Sequence, residues 1–191
     1  MSIAEFIIYI SALFWLFPPI RQFNGEYFYY FLILAISDPA NLICIKLFGL
    51  RPNIVLPVAG ILLLISITAS RENLKISLYR VIVIVLAFII FFICLENHLF
   101  LLLIIHIFIL LTFISISTRS IYKRNEINLF LWALSFYELS IVINLSEFVS
   151  GSELRIIIYY MTLSFQFLIA IFFTIFTEKS NSLIIRLKSI D

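Results

Sequence analysis

The stretch Leu78 to Ser117, LYRVIVIVLAFIIFFICLENHLFLLLIIHIFILLTFISIS, decides how many helices this chain holds. Two apolar runs, Leu78 to Leu95 and Leu99 to Ser117, flank the triplet Glu96-Asn97-His98. One helix over the whole stretch would be about 60 Å long at 1.5 Å per residue. That is about twice the hydrocarbon thickness of a bilayer. Three polar side chains in a row would also sit at its centre, where burial in hydrocarbon is costly. The stretch therefore reads as two helices joined by a tight hairpin.

The same criterion, about 20 mostly apolar residues per crossing, finds five more segments. They are Ile3 to Pro18, closed by Pro18-Pro19, then Tyr27 to Leu47, Ile54 to Thr68, Ile127 to Leu145 and Ile156 to Phe176. The expected fold is an all-α integral membrane protein, a bundle of seven transmembrane helices over residues 1–176. Composition agrees. Hydrophobic residues make up 63% of the chain and charged ones 13%, against about 25% charged in soluble domains. A domain of this size leaves much of its surface exposed and has no room to hide that apolar excess from water. With 21 Phe and 4 Gly, the helices are bulky, and few close glycine-mediated crossings are expected.

Lys and Arg fix the expected orientation. Ten of them, including Arg21, Arg71, Arg119, Lys123 and Lys179, fall on the side that holds the C-terminus; Lys46, Arg51 and Arg155 fall on the other. The N-terminus is then outside and the C-terminus cytoplasmic, in an inner or plasma membrane. The start carries no Lys or Arg ahead of its apolar run, so no cleavable signal peptide is expected. Residues 177–191 form a short cytoplasmic tail. Its Leu183, Ile184, Leu187 and Ile190 share one helical face, which predicts an amphipathic helix on the lipid bilayer or a docking stub for a protein partner. The net charge of +2 is spread among loops, which argues against a nucleic-acid partner. Cys44 and Cys94 lie in apolar runs and are expected to be packed thiols.

Ionisable side chains within the spans are the candidate site. Asp38 lies eleven residues after Tyr27 and Glu138 eleven after Ile127, which predicts the same depth, near the midplane. Asp38 precedes Pro39, which leaves the Ala35 carbonyl without its helical donor. The pair reads as a cation or proton site. It reads equally as a proline kink with a neutral, hydrogen-bonded Asp38. Asn41 lies one turn on, Tyr137 adjoins Glu138, and His106 and Gln166 lie inside helices 5 and 7. With Asn144, these side chains suggest a polar cavity opening outward from the midplane.

Several chemistries are argued down. There is no Gly-rich phosphate loop, and Cys and His are too few for a zinc site. No catalytic constellation stands out, so neither enzyme activity nor a cofactor is expected. Helix 7 lacks the Lys that a retinal Schiff base needs. In layout alone, helices 1–3 and 5–7 joined by helix 4 resemble the SWEET and PQ-loop transporters; the Pro-Gln signature is absent, and the family is not assigned. The functional expectation is a receptor-like or accessory signalling subunit that binds a small or lipidic ligand among its helices. The alternative is a small secondary transporter using Asp38 and Glu138.

Overall fold

The computed structural model describes residues 10–49, 52–68 and 97–187. The segment Leu78 to Leu95, expected as helix 4, lies outside the described residues, as do the first residues of helix 1.

Helical residues Ile10–Arg21 form α1. A turn at Trp15 and Leu16 interrupts it, and the chain restarts as a five-residue helix, Phe17–Arg21. Pro18 and Pro19 therefore do not close helix 1, as the sequence suggested; they sit in the first turn of its second piece. First-turn N–H groups have no intrahelical acceptor, so proline costs nothing there.

Next come α2, Phe28–Phe48, and α3, Pro52–Thr68. Both contain an interior proline, Pro39 and Pro57. Beside Pro39, the Ser37 hydroxyl donates to the Leu34 carbonyl at 2.8 Å. A left-handed Gly49, at φ +62°, ends α2. α4 spans His98–Arg124, seven residues beyond the expected end at Ser117. The polar run that follows Ser117 stays helical to Arg124, and the Thr118 hydroxyl donates to the Ile114 carbonyl at 2.9 Å. α5 spans Leu129–Ser150, capped by the Asn128 side chain and ended by Gly151 at φ +68°. α6 spans Arg155–Ile175.

Between α4 and α5 lies a three-residue strand, β1, Glu126–Asn128. After α6 come a 3-10 turn, Asn181–Leu183, and β2, Ile184–Arg186. β2 pairs antiparallel with β1, placing Ile185 opposite Ile127 and Arg186 opposite Glu126. The expected amphipathic helix is therefore replaced over these residues by an edge clip. The cause is the backbone of β1. It follows Asn125, a non-glycine residue in the left-handed conformation at φ 49°, and offers strand N–H and C=O groups that the tail satisfies.

α4, α5 and α6 are long and apolar enough to cross a membrane, and Ile10–Arg21 and Val55–Ile67 are shorter apolar helices. α2 also has 21 residues. Large apolar side chains cover the outside. Leu111 is 55% exposed, Phe136 54% and Leu168 64%. A contiguous apolar coat of this kind suits lipid rather than water, so the fold is compatible with a membrane location.

The six described helices form a closed ring in chain order, because each packs on the next and α6 packs back on α1. Inside the ring sits an aromatic core. The Phe173 ring lies 4.9 Å from Phe31 and 5.1 Å from Phe130, and all three are fully buried. The ring is closed by a polar contact. Gln22, 1% exposed, donates through Nε2 to the Phe173 carbonyl at 3.1 Å and the Phe176 carbonyl at 2.8 Å. These belong to the end of α6, where carbonyls lack intrahelical donors. Gln22→Leu is expected to cost about 2 kcal/mol, since it strands buried carbonyls. Thermal melting in detergent reads this out; an unchanged midpoint would mean that water serves those carbonyls equally well.

Candidate functional site

The inward faces of three helices bring ionisable groups together. On α5 the buried stripe runs Phe130, Leu131, Leu134, Ser135, Glu138. On α4 it runs Leu102, Ile105, His106, Ile109, Phe113, Ser117. On α2, Tyr27, Tyr30, Phe31 and Ala35 are buried. Each set follows the three- and four-residue spacing that puts side chains on one helix face.

Glu138 lies where these stripes meet. It is 0% exposed. The Tyr30 hydroxyl donates to its Oε1, and His106 Nδ1 lies 2.8 Å from its Oε2. With the ring proton on Nδ1, histidine is the donor, and both carboxyl oxygens are satisfied. α2 and α5 are not neighbours in the ring order, so the Tyr30–Glu138 bond crosses its interior. Polar groups in a low-dielectric core are held firmly when all are satisfied and are costly when one is not.

Among the described residues, Glu138 takes its partners from Tyr30 and His106, whereas the expectation paired it by depth with Asp38. Tyr30 is the third residue of α2 and Glu138 the tenth of α5, so the two helices do not start level. β1 packs against α4 and takes up the chain before α5 begins, an offset that counting from the loop overlooks. Asp38 lies in α2 ahead of Pro39, about 12 Å along the axis from Tyr30. Its side chain is outside the described residues.

The other candidates are dispersed. Tyr137 turns toward α1, its ring 4.9 Å from Trp15. Asn41 is half-buried on α2 and Asn144 on α5, each with an Oδ1 that is buried and unbonded among the described residues. Gln166 is half-buried on α6 and is not a partner of Glu138. No structure described here joins them into an outward cavity. Cys44 is a free, half-buried thiol. Tyr30 escaped the sequence reading, hidden in the aromatic run Tyr27 to Phe31.

A cavity of about 760 Å³ does exist, at the other end of the bundle. The start of α2, the ends of α3 and α4, β1, the start of α5 and the chain after α6 line it. Its wall carries Arg119, Lys123, Arg124 and Lys179 together with Glu26, Glu126 and Glu178. Arg186 reaches Glu126 at 3.2 Å, whereas the four lining cations make no ion pair among the described residues. Glu178 Oε1 accepts the Glu26 N–H at 2.8 Å. Its Oε2 is buried without a hydrogen-bond partner among the described residues. Burial pushes the Glu178 carboxyl up, an effect partly offset by the Glu26 N–H.

The cavity and the triad share their helices. Tyr27 lines the cavity, and its ring lies 5.7 Å from Phe113, which in turn lies 5.3 Å from Tyr30. α4 contributes Ser120 below and His106 above, and α5 contributes Leu131 below and Glu138 above. Among the described residues, no group of three or more His, Cys, Asp or Glu is gathered to hold a metal ion. No protein family, curated protein or solved structure matches this chain.

Proposed function

We propose that the chain is a receptor-like or accessory signalling subunit of an inner or plasma membrane, with seven crossings, an outside N-terminus and a cytoplasmic C-terminus. Its ligand is small or lipidic and is taken at the charged end of the bundle. Support for the crossing count comes from the described ends. Ile67 of α3 lies at the cavity, beside the last turns of α4, whereas α4 begins at the opposite end, about 40 Å away at 1.5 Å per residue. Support for the orientation is that Lys123, Arg124 and Lys179 gather at that one end, as cytoplasmic loops do.

The observation that carries the functional reading is that α2 with its N-cap Tyr27, α4 and α5 each supply both a wall of the cavity and a member of the Tyr30–Glu138–His106 triad. A ligand that displaces Tyr27 pushes on Phe113 and Tyr30, and so on the bond across the ring. This arrangement suits a subunit that passes a shift to a partner. Transport through Glu138 fits less well, because that carboxyl is 0% exposed and both its oxygens are filled.

Native mass spectrometry of the protein, extracted gently from its own membrane, is the test. A second polypeptide at fixed stoichiometry is expected. A lone chain that supports gradient-driven solute uptake in proteoliposomes, with uptake lost in Glu138→Gln, would replace this reading with the transporter.

A further inference from the structure

The cavity mixes charges in an unusual way for a solvated loop region. Its cations approach from α4 and from the chain after α6: Arg119, Lys123 and Arg124 on one side, Lys179 on the other. Glu178 lines the same space; its Oε1 accepts the Glu26 N–H, the Tyr27 N–H and Lys179 also act on the carboxyl, and its Oε2 is buried just beneath the wall and unbonded among the described residues. A buried carboxyl oxygen without a donor is costly, and an ammonium group would satisfy it while compensating its charge. Ile116 and Leu131 supply an apolar wall beside these groups. A volume of about 760 Å³ falls within the usual range of ligand sites.

We propose that this cavity is a headgroup site for a phosphate that carries a primary amine, the headgroup of an aminophospholipid such as phosphatidylethanolamine, with the phosphate against Lys123, Lys179 and Arg119 and the ammonium against Glu178. This proposal rests on the reading of the chain as a ligand-binding membrane subunit and names its ligand class. The phosphate alone would be satisfied by the cations. The amine is specified by Glu178, because a carboxylate in an anion site repels anything that lacks a positive group. A quaternary ammonium carries the same charge but no N–H, so it leaves the Glu178 oxygen unbonded. The apolar wall receives the glycerol and first methylenes, which favours a lipid over a free phosphoamine.

The test is native mass spectrometry of the full chain in detergent, titrated separately with phosphatidylethanolamine, phosphatidylcholine and phosphatidylglycerol of the same acyl chains. Phosphatidylethanolamine is expected to be retained at one per chain, about tenfold more tightly than phosphatidylcholine, the measure of one charge-assisted hydrogen bond. Glu178→Gln should erase that difference. Lys123→Ala with Lys179→Ala should weaken retention of phosphatidylethanolamine and phosphatidylglycerol alike. Equal retention of the three lipids by the unaltered protein overturns the proposal and depends on no variant folding. A preference that survives in folded Glu178→Gln also overturns it. Glycerophosphoethanolamine serves as the soluble competitor. If it displaces the lipid at equal concentration, the headgroup chemistry stands with a soluble source; if it does not, the source is the lipid. Loss of the lipid preference beside an intact second polypeptide removes the ligand class and leaves the subunit reading standing.

Discussion

Glu138→Ala is expected to destabilise the bundle by about 3 kcal/mol, the cost of removing one partner from a buried polar pair. The side chain is 0% exposed, and its two oxygens serve residues from two other helices. Removing it strands the Tyr30 hydroxyl and the His106 ring nitrogen in a core that offers no substitute. The argument holds whichever member carries the proton, because both forms lose the same two contacts. Glu138→Gln keeps the volume and an acceptor for Tyr30, so it should cost about 1 kcal/mol, nearer the value of a single interhelical bond in a membrane. The informative comparison is the triple change Tyr30→Phe, His106→Leu and Glu138→Leu. It removes every polar group of the cluster together, and at least half of the stability lost in Glu138→Ala should return. Midpoints of denaturation by sodium dodecyl sulfate in mixed micelles would rank the three variants. If Glu138→Ala and Glu138→Gln melt alike, the triad is not what holds α2, α4 and α5 together.

What the sequence reveals about this core follows from what each signal measures. Apolar runs mark α3 and α6 to within two residues at either end, because the length of a hydrophobic segment and the length of a helix in lipid are the same constraint. They misplace the end of α4 because Thr118, Arg119 and Ser120 are polar yet still helical. Pro18-Pro19 looks like a terminator, yet proline is tolerated in the first turn as readily as it ends a helix. The tail deceives for another reason. Leu183, Ile184 and Leu187 fit a helical stripe, but residues 184–187 bond to an exposed strand edge that follows the left-handed turn at Asn125.

The triad was half legible. Glu138 and His106 are conspicuous as ionisable groups in apolar helices, and each was a candidate by itself. Their pairing depends on which helices are neighbours around the ring, and no single helix carries that information. Tyr30 gave no signal at all, being one of five consecutive aromatic residues. Depth counting places Glu138 level with Asp38 by assuming that α2 and α5 start level, whereas Tyr30, third in α2, bonds Glu138, tenth in α5. The cavity was illegible for a related reason. Its lining comes from five separate stretches of chain, and the charges on it read in sequence only as topogenic loop residues.

The second large effect belongs to the apolar core. Phe173→Ala is expected to cost about 3 kcal/mol, within the range for deleting a buried aromatic ring. Phe173 is 0% exposed and packs between α1, α2 and α5, its ring 6.5 Å from Trp15, 4.9 Å from Phe31 and 5.1 Å from Phe130. The physical origin differs from that in a soluble protein. With α6 as a membrane crossing, as proposed, the separated helix would remain in lipid, so little of the cost is transfer from water. The cost is the cavity, together with the contacts that three other rings lose on one side. Phe173→Leu should therefore recover most of it, because volume matters more here than aromatic character. Leu168→Ala provides the control on the same helix. Leu168 is 64% exposed and faces outward, where lipid refills the space, so the change is expected to stay within about 0.5 kcal/mol. Unfolding midpoints for the three variants would test the ring order directly. A Leu168→Ala loss as large as that of Phe173→Ala would mean that α6 presents its other face to the core.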